Sequence, residues 1–171
     1  MNSTTTRPNS IIFDLIALTK PRVNFLIIFT AIVGMLLAQD YDLNYSLMIY
    51  ASIGIYLAAS AAAVINQIVD QKIDAIMDRT KSRPLIKGNV TSGHAIFFSI
   101  IISTISTYIL YEYVNTITTI LTLFSIIVYS IIYSVYLKNL TSQNIVIGGI
   151  AGAMPPLLGW TAITNLSLIH I

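Results

Sequence analysis

The sequence contains no cysteine, which excludes disulfides, thiolate metal sites, iron–sulfur clusters and covalent c-type haem attachment together. Charge is nearly as scarce: 9% of the 171 residues are Asp, Glu, Lys or Arg, against about a quarter in soluble domains. The net charge of +2 is too small to imply a nucleic-acid partner. The opening MNSTTTRPNS lacks the charged-then-apolar order of a cleavable signal peptide. What remains is apolar. Hydrophobic residues make up 56% of the chain and the mean hydropathy is +0.80, so this is an integral membrane protein. The apolar runs are long enough for helical spans and lack the alternation of barrel strands. The expected class is therefore all-α, a polytopic transmembrane helical bundle.

Five spans are predicted, at roughly 23–38, 45–66, 94–111, 116–137 and 145–163. Residues 1–22 form a lead in which 11–19 read as an interfacial helix ended by Lys20-Pro21-Arg22. The second span carries the run AASAAA, Ala58 to Ala63, which allows close helix packing. Gly148, Gly149, Gly152, Pro155 and Pro156 predict close packing plus a break in the fifth span. Arg7, Lys20 and Arg22 precede the first span, five bases lie between the second and third, and Lys138 lies between the fourth and fifth. Alternation of spans puts all nine bases on one side, which the positive-inside rule makes cytoplasmic, together with the N-terminus.

The most informative stretch is NQIVDQKIDAIMDRTKSRP, Asn66 to Pro84. Asn66, Asp70, Asp74 and Asp78 recur every fourth residue, so on a helix they share one face. Like charges at that spacing repel, and neither Asp70 nor Asp74 has a Lys or Arg three or four positions away. A further cation is expected there. Hard oxygen ligands without Cys or His suit Mg²⁺ bridged to a substrate's phosphates. Arg79, Lys81, Arg83 and Lys87 follow, so anion donors are separated along the chain from metal-side oxygens. That order favours a metal–diphosphate clamp; spacing alone equally allows a solvated charged helix end. A calcium loop is excluded, since it needs acids at alternate positions and a glycine at the sixth.

Asn66 to Pro84 resembles the Asn-x-x-x-Asp-x-x-x-Asp motif of the UbiA superfamily of intramembrane prenyltransferases. With LTKPRV (Leu18 to Val23) and LKNLTSQNIVIGGIAGAMPPLLGW (Leu137 to Trp160), the resemblance narrows to its protohaem IX farnesyltransferase (haem O synthase) branch. It covers about Leu18 to Trp160. It implies a bundle of roughly nine spans around one lipid-open cavity, of which this chain supplies about half. It also implies transfer of farnesyl from farnesyl diphosphate to a vinyl group of haem B, with water added, giving haem O. Asn66, Asp70 and Asp74 would be catalytic by holding Mg²⁺, while Arg79, Arg83, Arg22, Lys20 and Lys138 would bind diphosphate. Haem B would be a substrate, and haem A synthase or oxidase assembly proteins would be partners. The location would be the bacterial cytoplasmic membrane, ahead of the mitochondrial inner membrane.

Several residues carry two readings. Asp78 lies outside the three-residue core of the motif and, with Lys81 three positions on, also reads as an ion-paired neighbour. Lys20 and Arg22 either reach the diphosphate or anchor the first span. Lys138 is a phosphate or propionate contact or an ordinary anchor. Tyr129, Tyr133 and Tyr136 share a helix face that is either packing or, at Tyr129 or Tyr133, a cation-stabilising surface. His94 is an axial haem ligand or a helix-end residue. Residues 166–171, LSLIHI, have a back-translation resembling a transposon end used in sequencing libraries, so the native sequence is expected to depart near Asn165. The competing functions are a UbiA-type enzyme acting on an aromatic quinone precursor, a cation transporter, and a non-catalytic assembly protein. Transport fits poorly, because the acids sit at a helix end beside five bases rather than near mid-membrane.

Overall fold

The structure, a computed structural model, describes residues 11–38, 44–137 and 144–165. Arg7, Asp40, Asp42, Lys138 and residues 166–171 lie outside them. The described chain is helical: α1 (Ile11–Leu18), α2 (Pro21–Leu37), α3 (Tyr45–Val69), α4 (Gln71–Asp74), α5 (Ser92–Tyr113), α6 (Thr116–Ile127), a π-helix (Val128–Leu137) and α7 (Asn144–Thr164). Tyr45–Val69, Ser92–Tyr113 and Thr116–Ser134 are long and apolar enough to cross a membrane, and α1 with α2, bent by 46°, makes a fourth if counted as one span. The bend has a local cause. Lys20 adopts a left-handed backbone with φ 53°, a conformation that costs about 1–2 kcal/mol outside glycine, and Pro21 then opens α2 with its φ already set.

Helix starts follow the sequence. Asn44, Thr91 and Asn115 cap α3, α5 and α6, each accepting a backbone N–H three residues on through its side-chain oxygen. α3 is the central helix and packs against α2, α5, α6, the π-helix and α7. Its neighbours approach closely because most of the residues it buries are small. Ala31, Ala51, Ala58, Ala61, Ala95 and Ala162 are buried, whereas Phe25, Phe29, Leu37 and Phe97 face outwards. This inversion of a soluble core follows from a lipid surround, where burying large apolar groups gains little and tight packing gains more. Buried hydroxyls and amides join the helices. Ser106 Oγ donates to Gly54 O at 2.7 Å, and Asn115 Nδ2 donates to Thr161 O at 2.9 Å.

The predicted break at Pro155 and Pro156 is absent: α7 runs through both prolines as one helix. The lost intrahelical donors are tolerated where α7 lies against α2 almost backbone to backbone. A Cβ on Gly159 would meet Ala31 O at 2.0 Å, and one on Gly34 would meet Pro156 O at 2.1 Å. Neither obstacle is a side chain that can swing away. Gly159→Val is therefore expected to destabilise the protein by about 3 kcal/mol, read as thermal unfolding in detergent. Gly149→Ala, with nothing within 4 Å of its added carbon, should leave the transition unchanged.

The two polar segments meet at one end of the bundle. Gln67 Nε2 donates to Leu18 O at 2.6 Å, and Leu18, Val64, Leu85, Val90 and Ala95 form one buried cluster tying α1, α3, the 75–91 loop and α5 together. Lys20 and Arg22 thus share an end with the acidic motif, as the charge pattern requires. At the other end Tyr50 and Tyr113 stack, with ring centroids 4.6 Å apart.

Candidate active site

Asn66, Asp70 and Asp74 stand one above another where α3 passes into α4. Asp70 N donates to Asn66 O at 3.0 Å, and Asp74 N to Asp70 O at 2.8 Å, so helical hydrogen bonding continues through the join. All three are buried, at 7%, 6% and 5% exposure. The shared helix face predicted for four residues holds for these three and ends there. Beyond Asp74 the chain turns, and Thr80 Oγ1 donates to Asp74 O at 2.8 Å, closing the turn on itself. Asp78 is accordingly exposed and paired with Lys81 at 2.7 Å, whereas Asp70 and Asp74 are buried. Its role as a fourth oxygen on the face is not supported by this geometry.

The turn also overrides the expectation that cations stay apart from the acids. The Arg83 guanidinium pairs with the Asp74 carboxylate, although it lies nine residues on and beyond any helical neighbour rule. Arg83 N bonds Thr80 O at 3.0 Å, so the same turn that caps Asp74 carries Arg83 back onto it. Arg79, Lys72 and Lys87 are exposed around this loop. Arg22 is exposed on the first turn of α2, and His94 is exposed on the first turn of α5, its backbone N–H taken by Thr91 Oγ1. That is a helix-end environment for His94.

A partly open cavity of about 390 Å³ lies between α2, α3, α6, the π-helix and α7; Asn66, Asp70 and Asp74 do not line it. Lys20 and Tyr129 line it at the acidic end, and Ile55 and Leu158 close it against the core cluster containing Met35 and Leu110. Lys20, with its left-handed backbone, is part of the cavity wall. Ala58, Ala59, Ala62 and Ala63 line the cavity as well. Part of the alanine run expected to bring helices together instead makes room between them, because residues on the α6-facing side of α3 meet empty space rather than a backbone.

The fourth predicted span holds a second local surprise. After Ile127 it widens into a π-helix, a form that recurs at functional sites because it shifts side-chain register. The Ser134 hydroxyl lies 2.8 Å from Tyr129 O, five residues back, and 2.8 Å from Asn66 Oδ1. Both acceptors are within reach of its one proton. Tyr129 and Tyr133 stack with centroids 5.8 Å apart, and the Tyr133 ring fits over Gly148, where a Cβ would approach it to 2.6 Å. Asp70 lies near Tyr129.

Among the described residues no three His, Cys, Asp or Glu side chains cluster as a metal site. A family model described as the UbiA prenyltransferase family matches residues 27–170. The chain belongs to that family. Among its relatives, a protoheme IX farnesyltransferase of Hahella chejuensis is 50% identical over 152 residues, covering 89% of this chain and 51% of the relative. One of Alcanivorax borkumensis is 53% identical over 154 residues, covering 89% and 51%, and one of Xylella fastidiosa is 53% identical over 153, covering 88% and 51%. The chain therefore spans about half the length of the curated relatives it matches. No solved structure matches it.

Within this UbiA member, sequence reasoning passed over Asn24, Gln67 and Ser134. Asn24 is 1% exposed, lines the cavity and donates to Thr19 O and Ser60 Oγ, both at 2.8 Å. An isolated amide inside an apolar run was the available signal. Ser134 carried none, because only the π register brings it to Asn66.

Proposed function

We propose that the chain belongs to an enzyme that transfers farnesyl from farnesyl diphosphate to a vinyl group of haem B, with water added, giving haem O. The observation that carries this reading is the buried stack of Asn66, Asp70 and Asp74, joined through Ser134 to Tyr129 in the wall of an apolar cavity. The names of the relatives supply the farnesyl and protohaem parts. Asn66, Asp70 and Asp74 would hold Mg²⁺, and a buried set of hard oxygens fits that ion. Bound there, it would neutralise charge on a diphosphate leaving group.

The residues of the chain do the rest. Arg83, kept at the site by Asp74, presents a planar fork suited to phosphate oxygens, and Arg79 and Lys20 add charge on the same side. As the allylic C–O bond breaks, Tyr129 and Tyr133 offer ring faces to the developing cation. The alanine-walled cavity receives the hydrocarbon chain and limits premature attack by bulk water. By the positive-inside rule the acidic end would face the cytoplasm; the membrane would be a bacterial cytoplasmic one, and haem A synthase or oxidase assembly proteins would receive the product.

The test uses membranes containing the protein expressed from its complete gene, supplied with farnesyl diphosphate and haem B with and without Mg²⁺. Haem O should form only with the metal present. Prenylation of an aromatic acid such as 4-hydroxybenzoate, with haem B untouched, would overturn the reading. Ala59→Phe, which fills the cavity from α3, should raise the KM for farnesyl diphosphate by about tenfold while membrane insertion stays normal.

A further inference from the structure

Three buried hydroxyls among the described residues have no hydrogen-bond partner: those of Thr122, Ser125 and Ser130. Other helical hydroxyls here return their proton to a preceding turn, as Thr104 does to Ile100 O, Thr107 to Ser103 O, Thr119 to Asn115 O and Thr30 to Ile27 O. Thr122 and Ser125 depart from that habit, and both line the cavity. Three residues apart on α6, they share one face. Thr122 is 3% exposed, so bulk water does not serve it. Asn24, the nearby amide in the same wall, has both its donor contacts committed to Thr19 and Ser60.

A hydrocarbon guest cannot satisfy these two hydroxyls. A water molecule can, since it both donates and accepts, and it occupies only about 30 Å³ of a cavity of about 390 Å³. The hydroxyls are not bonded to each other, which leaves each free to hold a small guest. We propose that Thr122 and Ser125 hold one water molecule beside the apolar guest, and that this water is the nucleophile that completes the reaction. The inference rests on the farnesyl-transfer reading above.

The bond changes balance without any further reactant. The C1–O bond of farnesyl diphosphate breaks with its electron pair leaving on diphosphate. The vinyl π pair then forms a C–C bond from the terminal vinyl carbon to farnesyl C1, leaving a cation on the inner vinyl carbon beside the porphyrin. A lone pair of the held water forms the C–O bond there, and the surplus proton passes to a diphosphate oxygen. Thr122 and Ser125 touch the water rather than the substrate, so they are positioning residues. If the water is missing, the same cation loses a proton from the adjacent CH₂ and gives an alkene lighter by one water.

The experiment compares the parent with Thr122→Val/Ser125→Ala, both from the complete gene, using farnesyl diphosphate, haem B and mass analysis of the pigments. The ratio of hydroxylated to dehydrated farnesyl-haem should fall by about tenfold or more, with total farnesylated haem within about threefold of the parent. Thr122→Ser/Ser125→Thr should restore the ratio. If the double variant fails to accumulate, Thr122→Val alone, which keeps the shape of the side chain, is read in the same way. An unchanged ratio in a variant that still farnesylates haem overturns this inference alone. A parent that makes no farnesylated haem overturns it together with the proposed function.

Discussion

Asp70→Asn, made in the protein expressed from its complete gene, is expected to abolish haem O formation while leaving membrane insertion intact. The side chain is buried at the α3–α4 join, yet the helical bonds through that join are made by backbone atoms, Asp70 N to Asn66 O and Asp74 N to Asp70 O. Asparagine has nearly the same shape, so the join should survive. On the proposed function, what is lost is one of the two carboxylate charges that would hold Mg²⁺, and with it most of the neutralisation a diphosphate leaving group would need. The loss of activity should be at least about 100-fold. Folding need not suffer, because the substitution also removes like-charge repulsion four residues along a helix. Pigment extracts with parental amounts of haem O would remove Asp70 from the site.

The Asp74–Arg83 pair should show a large coupling in a double-mutant cycle. Asp74 has a side chain 7% exposed and Arg83 one 25% exposed, so removing either partner leaves a charge largely cut off from water. Asp74→Ala and Arg83→Ala are each expected to lower the unfolding temperature in detergent. The double variant should be less destabilised than their sum, with a coupling of about 1–3 kcal/mol. Strict additivity would mean the pair contributes nothing to stability. Farnesyl diphosphate binding separates the two roles of Arg83. Arg83→Lys should bind better than Arg83→Ala but worse than the parent, because lysine keeps the charge and loses the fork. Equal binding by all three would reduce Arg83 to a brace for Asp74.

Much of the fold was readable because its signals are local. The spans predicted at roughly 45–66 and 94–111 fall within Tyr45–Val69 and Ser92–Tyr113, since apolar runs of that length have few other solutions. The capping side chains of Asn44, Thr91 and Asn115 stand in the polar breaks between them. The prolines of α7 misled for a related reason. A missing N–H is visible in sequence, whereas the close contact with α2 along the continuous helix is made by Gly34 and Gly159, which are 125 positions apart.

The candidate site divides along the same line. The sequence by itself determined that Asn66, Asp70 and Asp74 face one way, because helical periodicity is a property of neighbours, and that Lys20, Arg22 and the acidic loop share an end, because spans alternate. Only the tertiary structure decided that the face stops at Asp74, that Arg83 returns to it, that the alanines wall a cavity, and that Thr122 and Ser125 enter that cavity without partners. Each of these depends on where a distant helix or a turn comes to rest. An empty volume or a nine-residue return has no period along the chain, so it exists only once the helices have packed.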